Sequence, residues 1–209
     1  MSKVGKKFPD ISVNAMNEMG DTFKINVLQE ALENKKKIIL FWYPKDFTFV
    51  CPTEIHAFQS KLSEFEKRNT MVIGASCDTP EVHFAWLSTP KDNGGIEGVT
   101  FPLIADSTRH LSETLDILDT EYVGTEENYS IEGDNVSYRA TFLIDEEGTI
   151  FHESVNVMPL GRNVDEYLRL IDGYAHNQKH GEVCPANWEE GKEAMSESRE
   201  SVANYLSKQ

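Results

Sequence analysis

The stretch that decides the reading is Phe41-Trp-Tyr-Pro-Lys-Asp-Phe-Thr-Phe-Val-Cys51-Pro-Thr-Glu54. It opens inside a short, continuous apolar run, Ile38-Ile-Leu-Phe-Trp-Tyr43. A run of that length without alternation predicts a strand buried on both faces. The stretch closes on a helix pattern, with Ile55, Phe58, Leu62 and Phe65 recurring at spacings of three and four. Pro52 is expected at the first position of that helix, where its missing N–H is not needed. Cys51 therefore falls between a buried strand and a helix N-terminus, where the positive end of the helix macrodipole favours a thiolate. A buried cysteine serving only as a small hydrophobe is the alternative. Thr48, three residues earlier, either donates to that sulfur or serves as a turn or cap residue.

Outward from this stretch, strand and helix signals alternate. Met71–Ser76 and Phe101–Ala105 read as further strands, and Pro80–Leu87 and Arg109–Leu118 as helices. Thr141–Ile144 and Ile150–Val155 read as a hairpin with Gly148 in its turn, and Val164, Leu168, Ile171 and Ala175 mark a last helix. The expected fold class is α/β, a mixed central sheet flanked by helices. The expected division is a main domain over 1–175 and a polar C-terminal extension over 176–209.

Composition bounds the function. Lys plus Arg number 20 against 35 Asp plus Glu, a formal charge of −15 over 209 residues. That balance argues against nucleic acid, whose phosphates need clustered cations, and against docking on an anionic membrane. The longest apolar run falls far short of the ~20 residues of a membrane helix. The N-terminus has charges but no apolar segment after them, so no signal peptide is visible and a soluble, cytoplasmic protein is expected. Three cysteines and six scattered histidines supply neither a disulfide scaffold nor a metal cluster, so no metal and no cofactor are expected. A Cys–His hydrolase using His83 or His152 lacks a local signature, and most of the histidines are expected at the surface.

A dithiol reductase would want Cys-x-x-Cys at the strand-to-helix corner, but the fourth position is Glu54. A second thiol must come from elsewhere, from Cys77 at the end of an apolar strand or from Cys184 in the polar extension. Cys77 reads as a packed thiol. Cys184, expected in an exposed and mobile segment, reads as a poor core residue.

These residues together resemble the typical two-cysteine peroxiredoxins, in the branch that includes the bacterial alkyl hydroperoxide reductase C subunit. The resemblance rests on Pro-x-x-x-Thr-x-x-Cys at Pro44, Thr48 and Cys51, and on Gly-Glu-Val-Cys-Pro-Ala around Cys184. It implies a thioredoxin-like fold and a thiol peroxidase that reduces hydrogen peroxide and organic hydroperoxides. It implies that Cys51 is the peroxidatic cysteine, that Cys184 in the extension is the resolving one on another subunit, and that Pro44 shields the thiolate. Arg139 would hold the thiolate and polarise the peroxide together with Thr48, with Glu54 and Arg162 as supporting charges. It further implies a homodimer assembling into a decamer, with thioredoxin or a flavoprotein disulfide reductase as electron donor. A holdase-type chaperone or a redox sensor is the non-enzymatic alternative.

Two departures stand out. The segment Leu118–Tyr138 is longer than the family pattern and carries Asp119, Glu121, Glu126, Glu127, Glu132 and Asp134 without a Lys or Arg until Arg139. It reads as a surface loop or hairpin insertion. Asn93-Gly-Gly-Ile-Glu-Gly98 and Tyr205-Leu206 differ from the family's elements linked to easy over-oxidation, which leaves that sensitivity open.

Overall fold

Apolar side chains of the Ile38–Tyr43 run are covered from both sides, and this organises the molecule. In the computed structural model, which describes residues 1–125 and 128–208, the chain forms two compact units, Met1–Arg162 and Asn163–Gln209.

The first unit begins with strands β1 (Val13–Met16) and β2 (Thr22–Ile25) and helix α1 (Val27–Asn34). Strand β3 (Lys37–Trp42) leads to helices α2 (Cys51–Ser60) and α3 (Leu62–Lys67), then to β4 (Thr70–Ser76), α4 (Pro80–Leu87), β5 (Leu103–Ala105) and α5 (His110–Leu115). Two hairpins follow, β6 (Glu121–Thr125) with β7 (Asn128–Glu132), and β8 (Arg139–Ile144) with β9 (Ile150–Asn156). Seven strands form one sheet in the order β2-β1-β5-β4-β3-β8-β9. The central β3–β4 and β4–β5 pairs are parallel and the remaining pairs antiparallel, the mixed sheet expected of the sequence.

Alternation along β3 sorts its side chains. Ile38, Leu40 and Trp42 join a core cluster with Val27 and Ala31 of α1 and Leu111 and Leu115 of α5. Phe41, on the other face, stacks on Phe58 of α2 with centroids 4.0 Å apart and meets Phe101 edge-on at 5.6 Å. Two covered faces explain why no polar residue interrupts the run.

Several boundaries differ from the sequence reading. The single helix expected through Phe65 is two helices, because the Lys61 N–H bonds Phe58 O at 3.1 Å, a tight turn that ends α2. The Arg109–Leu118 helix is shorter, closing at Asp116 with φ of 61°. Gly148 does turn the last hairpin, with φ of 76°, while Asp145 Oδ1 accepts from the N–H groups of Glu147 and Thr149. The Leu118–Tyr138 insertion is a hairpin whose side chains in β6 and β7 are all exposed, closed at its base by a Leu118–Ser137 bridge. Its acidic residues Glu126 and Glu127 lie outside the described residues.

The second unit holds α6 (Val164–His180) and α7 (Arg199–Leu206). The Asn163 side chain caps α6 by accepting from Asp165 N, and Gly181, at φ of 66°, ends it. Val183 and Met195 pair in a short bridge, and the Trp188 ring lies 4.9 Å from that of His176.

Candidate active site

Cys51 is the first residue of α2, so Pro52 sits second. No side chain caps this helix end, and the sulfur lies in the turn where the positive pole of the helix is felt. The thiol is wholly buried. Arg139, the first residue of β8, donates from Nη1 to the Cys51 sulfur at 3.3 Å and to Glu54 Oε2 at 2.6 Å. Its Nε donates to Met158 O at 2.6 Å, which fixes the plane of the guanidinium. Glu54, one helical turn after Cys51, is also held by Arg162, whose backbone N–H and Nη1 both lie 3.0 Å from Glu54 Oε1. Arg162 is itself anchored to the carbonyl of Trp42 and to Ala140 O at 3.2 Å, and its guanidinium lies 5.6 Å from the Phe41 ring centroid.

These side chains are almost entirely buried, so their charges must nearly balance, because an uncompensated buried charge costs several kcal/mol. Two arginines and one glutamate sum to +1. A negative charge on the sulfur, or on an oxygen bound there, completes the balance. The arrangement is therefore built to hold an anion at Cys51 and to stabilise charge developing next to it.

The other nominated residues fall differently. Pro44 is buried in the loop before Cys51. Thr48 donates its hydroxyl hydrogen to Lys45 O at 2.9 Å, and among the described residues no hydrogen bond joins it to Cys51. Cys184 belongs to the second unit, where its half-buried sulfur lies 3.5 Å from Gly173 O, so it is not the freely exposed thiol its polar neighbours suggested. Cys77 is buried 3.7 Å from the Ser112 hydroxyl, and burial pushes its thiol up, as suits a packed bystander. All three cysteines carry free thiols.

His83 is an exception to the expectation that most of the histidines are at the surface. It is completely buried, with Nδ1 2.7 Å from Asp46 Oδ2 and Nε2 3.1 Å from Ile104 O. Both ring nitrogens are engaged, which leaves neither free as the base of a Cys–His hydrolase. The sequence reading missed Asp46, although it stands inside the deciding stretch. Among the described residues, no group of three or more His, Cys, Asp or Glu has the geometry to hold a metal ion.

Residues 4–153 match the AhpC/TSA family. This chain belongs to that family. Residues 174–208 match the C-terminal domain of 1-Cys peroxiredoxin. The family member is 41% identical over 206 residues to alkyl hydroperoxide reductase C of Helicobacter pylori, covering 99% of this chain and 96% of that relative. It is 38% identical over 207 residues to peroxiredoxin-2 of Macaca fascicularis, with the same coverage. Among solved structures it resembles the reduced 2-Cys peroxiredoxin of Plasmodium vivax, with a TM-score of 0.88 and 40% identity, covering 99% of this chain and all of that one. The thioredoxin-like peroxiredoxin fold expected from the motifs is the fold of this chain.

Proposed function

We propose that Cys51 carries the thiol-peroxidase reaction of this family member, on hydrogen peroxide and organic hydroperoxides. The observation that carries the assignment is the buried Arg139–Glu54–Arg162 cluster, one positive charge in excess, with an Arg139 N–H aimed at the Cys51 sulfur. The Cys51 thiolate attacks the terminal oxygen of the hydroperoxide. The S–O bond forms as the O–O bond breaks, sulfur gives up two electrons, and the leaving alkoxide or hydroxide takes up a proton to become alcohol or water. Arg139 stabilises negative charge on sulfur and then on the departing oxygen, while Pro44 keeps water from the loop side. Thr48 turns its hydroxyl from Lys45 O to the incoming peroxide. Glu54 and Arg162 hold Arg139 in place.

Cys184 of a second subunit then condenses with the Cys51 sulfenic acid, forming the disulfide and releasing water. A dithiol donor, thioredoxin or a flavoprotein disulfide reductase, returns both thiols by disulfide exchange. The working assembly is a homodimer that builds a decamer. In this reading the catalytic thiol belongs to a main domain over 1–175 and the resolving thiol to the extension over 176–209. A cytoplasmic setting is part of this reading, supported by the lack of an apolar segment after the N-terminal charges. No helix is long and apolar enough to cross a membrane among the described residues.

Cys51→Ser is expected to abolish peroxide consumption with a thiol reductant while leaving the circular dichroism spectrum unchanged. Retained turnover in that folded variant rejects the assignment. Oxidised wild type should run as a dimer on a non-reducing gel and Cys184→Ser as a monomer. A monomeric oxidised wild type would reject the intersubunit bridge.

A further inference from the structure

The loop Pro44–Val50 joins β3 to the first turn of α2, and Asp46 supplies side-chain-mediated hydrogen bonds from it to the rest of the first unit. The Asp46 N–H donates to Asp78 Oδ2 at 2.8 Å, and Asp78 is in turn held by the Ser76 hydroxyl at 2.8 Å. The Asp46 carboxylate lies 2.7 Å from His83 Nδ1, and both side chains are completely buried. Around this anchor the loop is thinly held. Lys45, Phe47 and Phe49 are exposed, Phe49 at 95%, and the Thr48 hydroxyl bonds within the loop, to Lys45 O. The helix start at Val50 lacks a side-chain cap.

Phe47, directly after the anchor, has φ of 54°. That left-handed conformation is unfavourable for a bulky side chain and persists only where the surroundings impose it. Here they comprise the double tether of Asp46 and a ring contact with Trp86 at 5.8 Å. The loop is thus strained at one residue and fastened at its neighbour.

The proton in the fastening is determined by its far end. A carbonyl oxygen only accepts, so the 3.1 Å bond to Ile104 O requires the hydrogen on His83 Nε2. The short Nδ1–Oδ2 contact then needs a second proton between the two side chains, and the pair is neutral as a whole whichever side holds it. Burial raises the Asp46 carboxyl against the pull of His83. Burial alone would lower His83, but its bond to Asp46 raises it, and both directions keep this proton in place.

Cys51 needs two different states of this loop. Its sulfur is wholly buried, which suits a small peroxide held by Arg139. A second cysteine cannot reach it there, because a disulfide brings two Cβ atoms to within about 4 Å. We propose that the buried Asp46–His83 pair is a positioning element of the peroxidase reaction. It fastens the strained Pro44–Val50 loop for peroxide attack, and its release opens the first turn of α2 for disulfide formation. The proposal rests on Cys51 as the nucleophile.

The test separates the two half-reactions. Pre-reduced wild type, Asp46→Ala, Asp46→Asn and His83→Gln, each checked for folding by circular dichroism, are mixed with hydrogen peroxide in single turnover. Sulfenic acid and disulfide are followed separately by rapid quench and mass spectrometry, and sulfinic acid is titrated against peroxide. In Asp46→Ala the peroxide step should slow by at least about tenfold, the cost of misplacing a reacting group. Disulfide formation should instead accelerate severalfold, and more peroxide should be needed to over-oxidise Cys51. His83→Gln, whose amide cannot span Asp46 and Ile104 O together, should move the same way, and it decides the matter if Asp46→Ala does not fold.

Asp46→Asn should stay close to wild type, because its amide can donate to the Nδ1 lone pair of neutral His83. The proposal is overturned if the two steps fall together, if neither changes, or if Asn behaves like Ala. A wild type that forms no sulfenic acid at Cys51 would overturn the nucleophile assignment instead.

Discussion

Glu54 is the residue on which the charge balance of the site turns. It alone separates two buried guanidiniums, each within 3.0 Å of its carboxylate. Glu54→Gln keeps the size and one acceptor oxygen but leaves both arginines without a counter-charge. Removing one partner of a buried ion cluster costs about 3 kcal/mol or more. We expect that loss in urea unfolding, together with slower peroxide consumption because Arg139 is no longer held. A variant within about 1 kcal/mol of wild type, the range of a surface pair, would show that the cluster is solvated and weakly coupled. Thr48 illustrates the opposite case. It stands three residues before Cys51, yet its hydroxyl hydrogen goes to Lys45 O and not to the sulfur.

Among the elements, α2 carries Cys51 and the β6–β7 hairpin stands apart from it. The hairpin is two-stranded, and an isolated ribbon of that kind is marginal in water. Tyr122 meets Tyr129 on one face at 5.6 Å, and the Tyr122 hydroxyl reaches Glu113 at 3.1 Å, but both rings remain more than half exposed. So little apolar surface is buried that replacing residues 121–132 by a short glycine–serine turn should change unfolding free energy by less than about 1 kcal/mol. Peroxide turnover with a small thiol reductant should be unaffected. A loss of several kcal/mol in chemical denaturation would mean that the hairpin supports the sheet. By contrast, α2 is fixed through Phe58 stacked on Phe41, an aromatic contact that reaches directly into β3.

At the scale of the whole molecule the net charge of −15 matters more than at the site, where the local sum is positive. Copies of such a chain repel one another at low ionic strength, and salt shortens the range of that repulsion to about 3 Å at 1 M. The proposed assembly should therefore hold together at lower protein concentration in about 0.5 M salt than in about 0.02 M salt, as read by analytical ultracentrifugation. Dissociation driven by added salt would point to an interface held by attractive ion pairs instead.

The local pattern was enough to place the buried strand β3, the thiol at the start of α2, the α4 helix and the closing hairpin, because each is written in residues that are neighbours in sequence. Motif resemblance, not periodicity, singled out Arg139 and Arg162. Strands β1 and β2 and helix α1 left no clear signal, since both strands are four residues long and β2 is largely exposed at the sheet edge. Tertiary structure alone decided the rest. Arg139 reaches Cys51 across 88 residues of chain, and His83 reaches Asp46 across 37. Those meetings depend on the β8–β3 register and on where α4 packs. A sequence read locally states which residues can carry charge or strain, but only the folded chain determines which of them are buried together, and burial is what strengthens a charge's pull on its neighbours.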